Sequence, residues 1–176
     1  MRTSYIIQKQ LELVLMLLHH DNRLVCQVML HTGLRVSDVL NLKKSQIGRR
    51  FTVRESKTGK LKRCGLPDWL SAEIIRRAGR SEWAFPSPKD YRKHRTRQAV
   101  WKDIKRVTKY GHLVTGNAGT HSMRKVYAVD LMQKYHDVKA VQRALNHDNE
   151  AVTALYALAD QFAETAPLRR SVRPRR

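Results

Sequence analysis

Apolar residues recur at helical spacing along most of this chain, and the period changes once, between residues 51 and 66. A chain patterned this way is directed to a mainly helical α+β fold with one small sheet. Leu11, Val14, Leu15 and Leu18 mark a first helix. The run from Leu24 to Leu30 marks a second, after a break at Asp21-Asn22. After Gly33, the spacing of Val36, Val39, Leu40 and Leu42 gives a short third helix ending near Lys43. Phe51-Thr52-Val53 and Leu61 to Leu66 then read as strands around Lys57-Thr58-Gly59-Lys60, and the glycine between them predicts an antiparallel hairpin. Pro67-Asp68 starts a helix over about 69–78 that Gly79 stops. A basic helix follows over 92–109, with Val100, Ile104 and Val107 facing inward, and then a glycine-rich connection from Gly111 to Gly119. Thr120 is the expected cap of a helix over about 121–135. Asp137 caps another to about Leu145, and Asp148 a last one to about Phe162.

Charge is distributed far less evenly than the apolar residues. The 176 residues carry a formal charge of +20. Residues 43–63 hold nine Lys/Arg against one acid, residues 89–109 nine against two, and the tail from Arg169 to Arg176 adds five arginines. Residues 1–42, 64–88 and 110–168 are each within one charge of neutral. Basic stripes of this density attract a dense polyanion, and nucleic acid is the leading partner. The expected DNA contacts are Lys43, Lys44, Arg49, Arg50, Lys60, Lys62, Arg63, Lys93, Arg95, Arg97, Lys102 and Lys105.

Other classes fit poorly. Cys26 and Cys64 are far apart and in no ligand-like spacing, which argues against a disulfide framework or a thiolate zinc site and suits a reducing cytoplasm. His19 and His20 are adjacent and point to different faces. His112, His121 and His136 lack a ligand pattern with carboxylates or thiols, so neither metal nor cofactor is expected. The apolar stretch from Leu11 to Leu18 is interrupted by Glu12 and is far shorter than the roughly 20 residues of a membrane span. No signal peptide is expected.

Several polar residues stand out by position. Arg35 follows a glycine turn at a helix start, and Asp38 lies three residues on, within reach of it. His121 and Arg124 share the same three-residue spacing on one helix face. His147 precedes the Asp148 cap, and Tyr156 falls about 120° from the core stripe of the last helix. Each taken alone has an ordinary surface or packing explanation.

Together and in order they are specific. HTGLRVSDVLNL at 31–42, SKTGK at 56–60, THSMRK at 120–125 and LNHDNEAVTALY at 145–156 make the chain resemble the tyrosine recombinase (phage integrase) family up to about residue 160. The resemblance implies a catalytic domain over 1–162 with a basic tail over 163–176. It also implies that the N-terminal core-binding domain most relatives carry is absent. The implied activity is site-specific DNA recombination by a tetramer on paired sites, weakly associated or monomeric without DNA. Type IB topoisomerase-like relaxation and a non-catalytic DNA-binding regulator are the alternatives. By the same resemblance Tyr156 is the nucleophile that forms a 3′-phosphotyrosyl bond, His121 takes its proton, and Lys57 protonates the leaving 5′ oxygen. Arg35, Arg124 and His147 would hold the non-bridging oxygens, with Asp38 orienting Arg35 from behind. Asn146 stands where a glycine is common, and asparagine tolerates the left-handed backbone such a position can require. The arginine tail suits docking on a neighbouring protomer and contact with phosphate equally.

Overall fold

In a computed structural model of the chain, residues 6, 8–110 and 118–145 are described. The fold is α+β and mainly helical. Helices α1 (Gln8–Leu17), α2 (His20–Thr32) and α3 (Val36–Leu40) are followed by a 3₁₀ turn at Lys44–Gln46 and the strands β1 (Arg50–Arg54) and β2 (Leu61–Gly65). Next come α4 (Asp68–Ala78) and α5 (Arg97–Lys105), the latter widening into a π turn over Arg106–Tyr110. Helices α6 (Thr120–Tyr135) and α7 (Val138–Leu145) complete the described part. The expected helix from Asp148 to Phe162 and the arginine tail lie outside the described residues. Among the described residues, no helix is long and apolar enough to cross a membrane.

Helix α2 is the hub, packing against α1, α3, α4, α5 and α6. Its Leu24, Val25, Val28 and Met29 are buried, as the apolar spacing requires, and they join Val14, Leu34, Leu40, Leu70, Ile74, Val100, Ile104 and Met123 in one core. The two strands form an antiparallel hairpin with Arg50 opposite Gly65 and Val53 opposite Lys62. Helix ends follow local chemistry. Gly33 closes α2 in the left-handed conformation (φ 63) with its N–H on the Met29 carbonyl. Asp137 Oδ1 accepts from the Lys139 N–H at 2.8 Å at the start of α7.

Some helix boundaries differ from the sequence expectation. The break between the first helices falls at Leu18-His19, so Asp21-Asn22 lies inside the first turn of α2. A distant residue decides this: Asp103 Oδ2 of α5 accepts from the His19 N–H and from Asn22 Nδ2, both at 2.8 Å. Helix α5 begins at Arg97 rather than at residue 92. The Thr96 hydroxyl accepts from the Ala99 N–H and caps it. The preceding chain is held extended by the Arg95 N–H on the Phe85 carbonyl at 2.7 Å. Thr120, expected as the cap of α6, is instead its first residue. Gly119 precedes the helix, and its N–H donates to Ser122 Oγ at 3.1 Å.

Candidate active site

Arg35 stands at the junction of α2 and α3, in extended backbone directly after the Gly33 turn and the buried Leu34. The residue is 9% exposed, and its guanidinium Nη1 donates to Glu55 Oε2 at 2.9 Å. Glu55, fully buried in the hairpin turn, is the partner a buried guanidinium needs. The same oxygen accepts from the Thr58 hydroxyl at 3.0 Å. One carboxylate therefore joins Arg35 to the turn that carries Lys57. Sequence reasoning missed Glu55, although a signal existed, since it is the one acid in the basic stripe over 43–63.

Asp38 has a different task from the one expected. Its Oδ1 accepts from the Ser56 N–H at 2.9 Å and from the Ser56 hydroxyl at 2.5 Å, so it holds the hairpin turn and leaves Arg35 to Glu55. The turn is pinned on both sides of Lys57, by Ser56 on Asp38 and by Thr58 on Glu55. It closes through the Gly59 N–H on the Glu55 carbonyl, with Gly59 at φ 67. The exposed Lys57 side chain thus projects from an anchored support.

Arg124 comes from the buried side of α6. Its Nη1 donates to the Gly33 carbonyl at 2.6 Å and its Nη2 to the Leu145 carbonyl at 2.7 Å. One residue thereby fastens the turn before Arg35 to the end of α7, two positions ahead of His147 in sequence. Close approach of α2 and α6 makes this possible: a Cβ added at Gly33 would lie 2.3 Å from Cδ1 and Cε1 of Tyr127. His121 is exposed one turn earlier on α6. His147 and Tyr156 lie outside the described residues.

The hairpin's return strand supplies a further cation. Lys62, expected on a DNA-facing surface, is instead buried, because β2 alternates and its register turns Lys62 and Cys64 inward. Its Nζ lies 5.4 Å from the centre of the Tyr127 ring. Among the described residues it has no hydrogen-bond partner. Burial first, and the Arg124 charge second, push its pKa down to about 8. Arg95 is a second correction. It is buried, with Nη2 on Asp21 Oδ2 at 2.6 Å and Nη1 on Asn22 Oδ1 at 3.2 Å, and so braces α2 rather than facing outward. Lys43 is engaged by Glu82 at 2.7 Å and lies over the Trp83 ring.

Lys62→Met is expected to raise folding stability by roughly 2–3 kcal/mol at pH 7, because it removes a charge that burial disfavours. The folded-state pKa lies below the unfolded one, so the unfolded chain binds this proton more tightly. The gain is complete below about pH 8 and disappears as pH rises toward 10.5. Urea unfolding of both proteins at pH 7, 9 and 10.5 checks it. Cys64 and Tyr127, whose pKa values burial raises, titrate in both proteins.

The charges of Arg35, Arg124 and Glu55 all act on the buried Lys62, Arg35 is paired with Glu55, and Lys57 stands on the adjoining turn. Among the described residues there is no cluster able to hold a metal ion. Fixed cations in a water-poor site can bind an anion and stabilise charge that grows on it.

Comparison with known proteins gives the family and the fold. The model of the phage integrase family matches residues 5–161. The tyrosine recombinase XerA of Thermococcus kodakarensis is 29% identical over 143 residues, covering 77% of this chain and 50% of the relative. The integrase of Escherichia phage P2 is 28% identical over 166 residues, covering 93% of this chain and 46% of the relative. The chain thus spans about half the length of these relatives. A lambda integrase dimer bound to a COC′ core site superposes with a TM-score of 0.73 at 22% identity, over 88% of this chain and 48% of that one. The crystal structure of XerA recombinase gives 0.72 at 18% identity, over 95% and 66%.

Proposed function

Because the chain belongs to the phage integrase family, we propose that it is a site-specific DNA recombinase that cuts and rejoins strands through a covalent bond to Tyr156. The observation that carries this reading is the attachment of Arg124 to the Gly33 turn that presents Arg35, with the Lys57 turn tied to Arg35 through Glu55. A phosphodiester cut through a protein ester keeps its bond energy for rejoining. The Tyr156 oxygen attacks the scissile phosphorus while its proton passes to His121. The bond from phosphorus to the 5′ oxygen breaks, and that oxygen takes a proton from Lys57. Arg35, Arg124 and His147 hold the non-bridging oxygens as their charge increases. Attack by another strand's 5′-hydroxyl reverses each transfer. No protein group needs a metal for these steps.

Residues 1–162 form the catalytic unit in this reading and 163–176 a basic tail. The partners are double-stranded DNA and further copies of the chain, four on paired sites and fewer without DNA. The working compartment is the cytoplasm, at the nucleoid. The recombinase and integrase names of the relatives support exchange between sites over relaxation within one. Of the expected DNA contacts, the exposed Arg49, Arg50, Lys60, Arg63, Lys93, Arg97 and Lys102 hold the duplex, with Lys43, Lys44 and Lys105 at its margin. Replacing Lys93 and Lys102 together by Ala is expected to weaken binding and lower the slope of log K against log salt by about 2, at roughly 0.9 for each phosphate no longer neutralised. Filter binding from low to moderate salt measures it, and cleavage of DNA already bound persists.

The test of the function is a duplex taken from the DNA flanking the coding sequence, nicked beside the crossover point so that cleavage releases a short fragment. The wild-type chain becomes covalently attached and Tyr156→Phe does not. No attachment by the wild type to any such flanking duplex would refute the reading.

A further inference from the structure

We propose that Lys62 is a third phosphate ligand of the site, its ammonium paired with a non-bridging oxygen of the scissile phosphate. The inference rests on the strand-transfer reading above. An inward position on a two-stranded hairpin is ordinarily filled by an apolar side chain, and Cys64 two residues on fits that pattern. Lys62 places an ammonium there at 7% exposure, against the face of Tyr127 and with no hydrogen bond among the described residues. A charge buried in this way is costly unless something pairs with it.

The neighbouring groups point to an anion. Arg35 Nη2 is also buried without a hydrogen-bond partner among the described residues, while its Nη1 is held by Glu55. The charges of Arg35 and Arg124 both act on Lys62, as does that of Glu55. Among these side chains acting on Lys62, two guanidinium cations outnumber the one carboxylate, so the surroundings of the ammonium favour an anion. A phosphodiester brings one negative charge. When the tyrosine oxygen adds with its proton gone to His121, the five-coordinate phosphorus carries two. The excess of cations is offset more fully when the transition state is reached, which is where added attraction accelerates a reaction. The carboxylate keeps the free site from holding a larger excess. Lys57 has the separate task of protonating the 5′ oxygen from the exposed side of the turn.

The experiment separates the two kinds of lysine. Single-turnover attachment is measured for wild type and Lys62→Met on three nicked duplexes: an ordinary phosphodiester, a methylphosphonate at the scissile position, and a 5′-bridging phosphorothiolate. The methylphosphonate lacks one non-bridging charge, and the bridging sulfur leaves without needing a proton. Lys62→Met is expected to be ~10²-fold slower than wild type on the phosphodiester, the scale of one oxyanion donor. It should nearly match wild type on the methylphosphonate and stay slow on the phosphorothiolate. Equal rates on the phosphodiester overturn the proposal, as does an equal deficit on all three substrates. Recovery only on the phosphorothiolate also overturns it and makes Lys62 a proton donor. If Lys62→Met does not fold, Lys62→Gln carries the same comparison. Failure of the wild type to attach to any duplex counts against the strand-transfer reading instead.

Discussion

Arg124→Ala is expected to slow strand cleavage by at least ~10²–10³-fold, the effect of removing one preorganised donor from a developing oxyanion, and to destabilise the fold as well. The structural loss arises because the guanidinium of Arg124, a residue only 9% exposed, donates to two backbone carbonyls, Gly33 at 2.6 Å and Leu145 at 2.7 Å. Leaving each buried acceptor unsatisfied costs about 1–3 kcal/mol, so a total near 3 kcal/mol is expected. Arg124→Lys should recover little of the rate. A lysine ammonium has no planar fork with which to hold two carbonyls on different elements while facing a phosphate. Urea unfolding and single-turnover cleavage, measured on the same preparations, separate the two effects. An Arg124→Ala protein of unchanged stability would mean that the link from α2 through α6 to α7 is unimportant to the fold.

Gly33→Ala is the second large effect. Its Cβ would meet the Tyr127 ring at 2.3 Å, well inside van der Waals contact, at a backbone φ of 63 that side-chain-bearing residues rarely adopt. Either α2 and α6 separate or the ring swings out, and either movement also displaces the Lys62 ammonium that lies over that ring. Overpacking and left-handed strain each cost about 1–3 kcal/mol, giving roughly 3–5 kcal/mol together. Tyr127→Ala relieves the clash but not the strain. The pair should therefore be less destabilised than the sum of the two single changes, a coupling that a double-mutant cycle of melting or urea data reads directly. Additive effects would contradict the contact. Cleavage should fall with Gly33→Ala too, because the Gly33 carbonyl is one of the anchors of Arg124.

The local part of this structure is legible in the sequence. Apolar spacing locates the helices, Gly33 and Gly79 mark two helix ends, and the change of period locates the hairpin. Those features depend on residues within a few positions of one another. Misreadings arise where a contact spans much of the chain. Asp103, 81 residues beyond Asn22, moves the start of α2 by supplying an acceptor that local rules do not contain. Asp38 lies three residues from Arg35, and helical geometry alone pairs the two. The turn between β1 and β2 then brings in Glu55, 20 residues from Arg35, and Asp38 goes to Ser56 instead. Charge counting puts Lys62 and Arg95 among the surface cations, because a sum over a segment does not distinguish the two faces of a strand or an arginine turned back onto α2.

The four motifs that carry the family resemblance fall on the α2–α3 junction, the hairpin turn, α6, and the end of α7 with the segment beyond it. These pieces are distant in the chain. They are linked by three side chains, Glu55, Asp38 and Arg124, of which only Arg124 belongs to the phosphate-binding set proposed from sequence. The supporting residues decide how firmly the reactive ones are held, and a site held loosely loses rate even with every reactive group present.

The central claim is that one tyrosine oxygen becomes esterified to DNA. The adduct trapped on the nicked duplex should be digested with protease and nuclease, and the peptide bearing the nucleotide identified by mass spectrometry. The account predicts a single nucleotide-bearing peptide, spanning Tyr156 and linked through its phenolic oxygen to a 3′-phosphate. A nucleotide on any other residue, or a 5′-phosphate linkage, would contradict it.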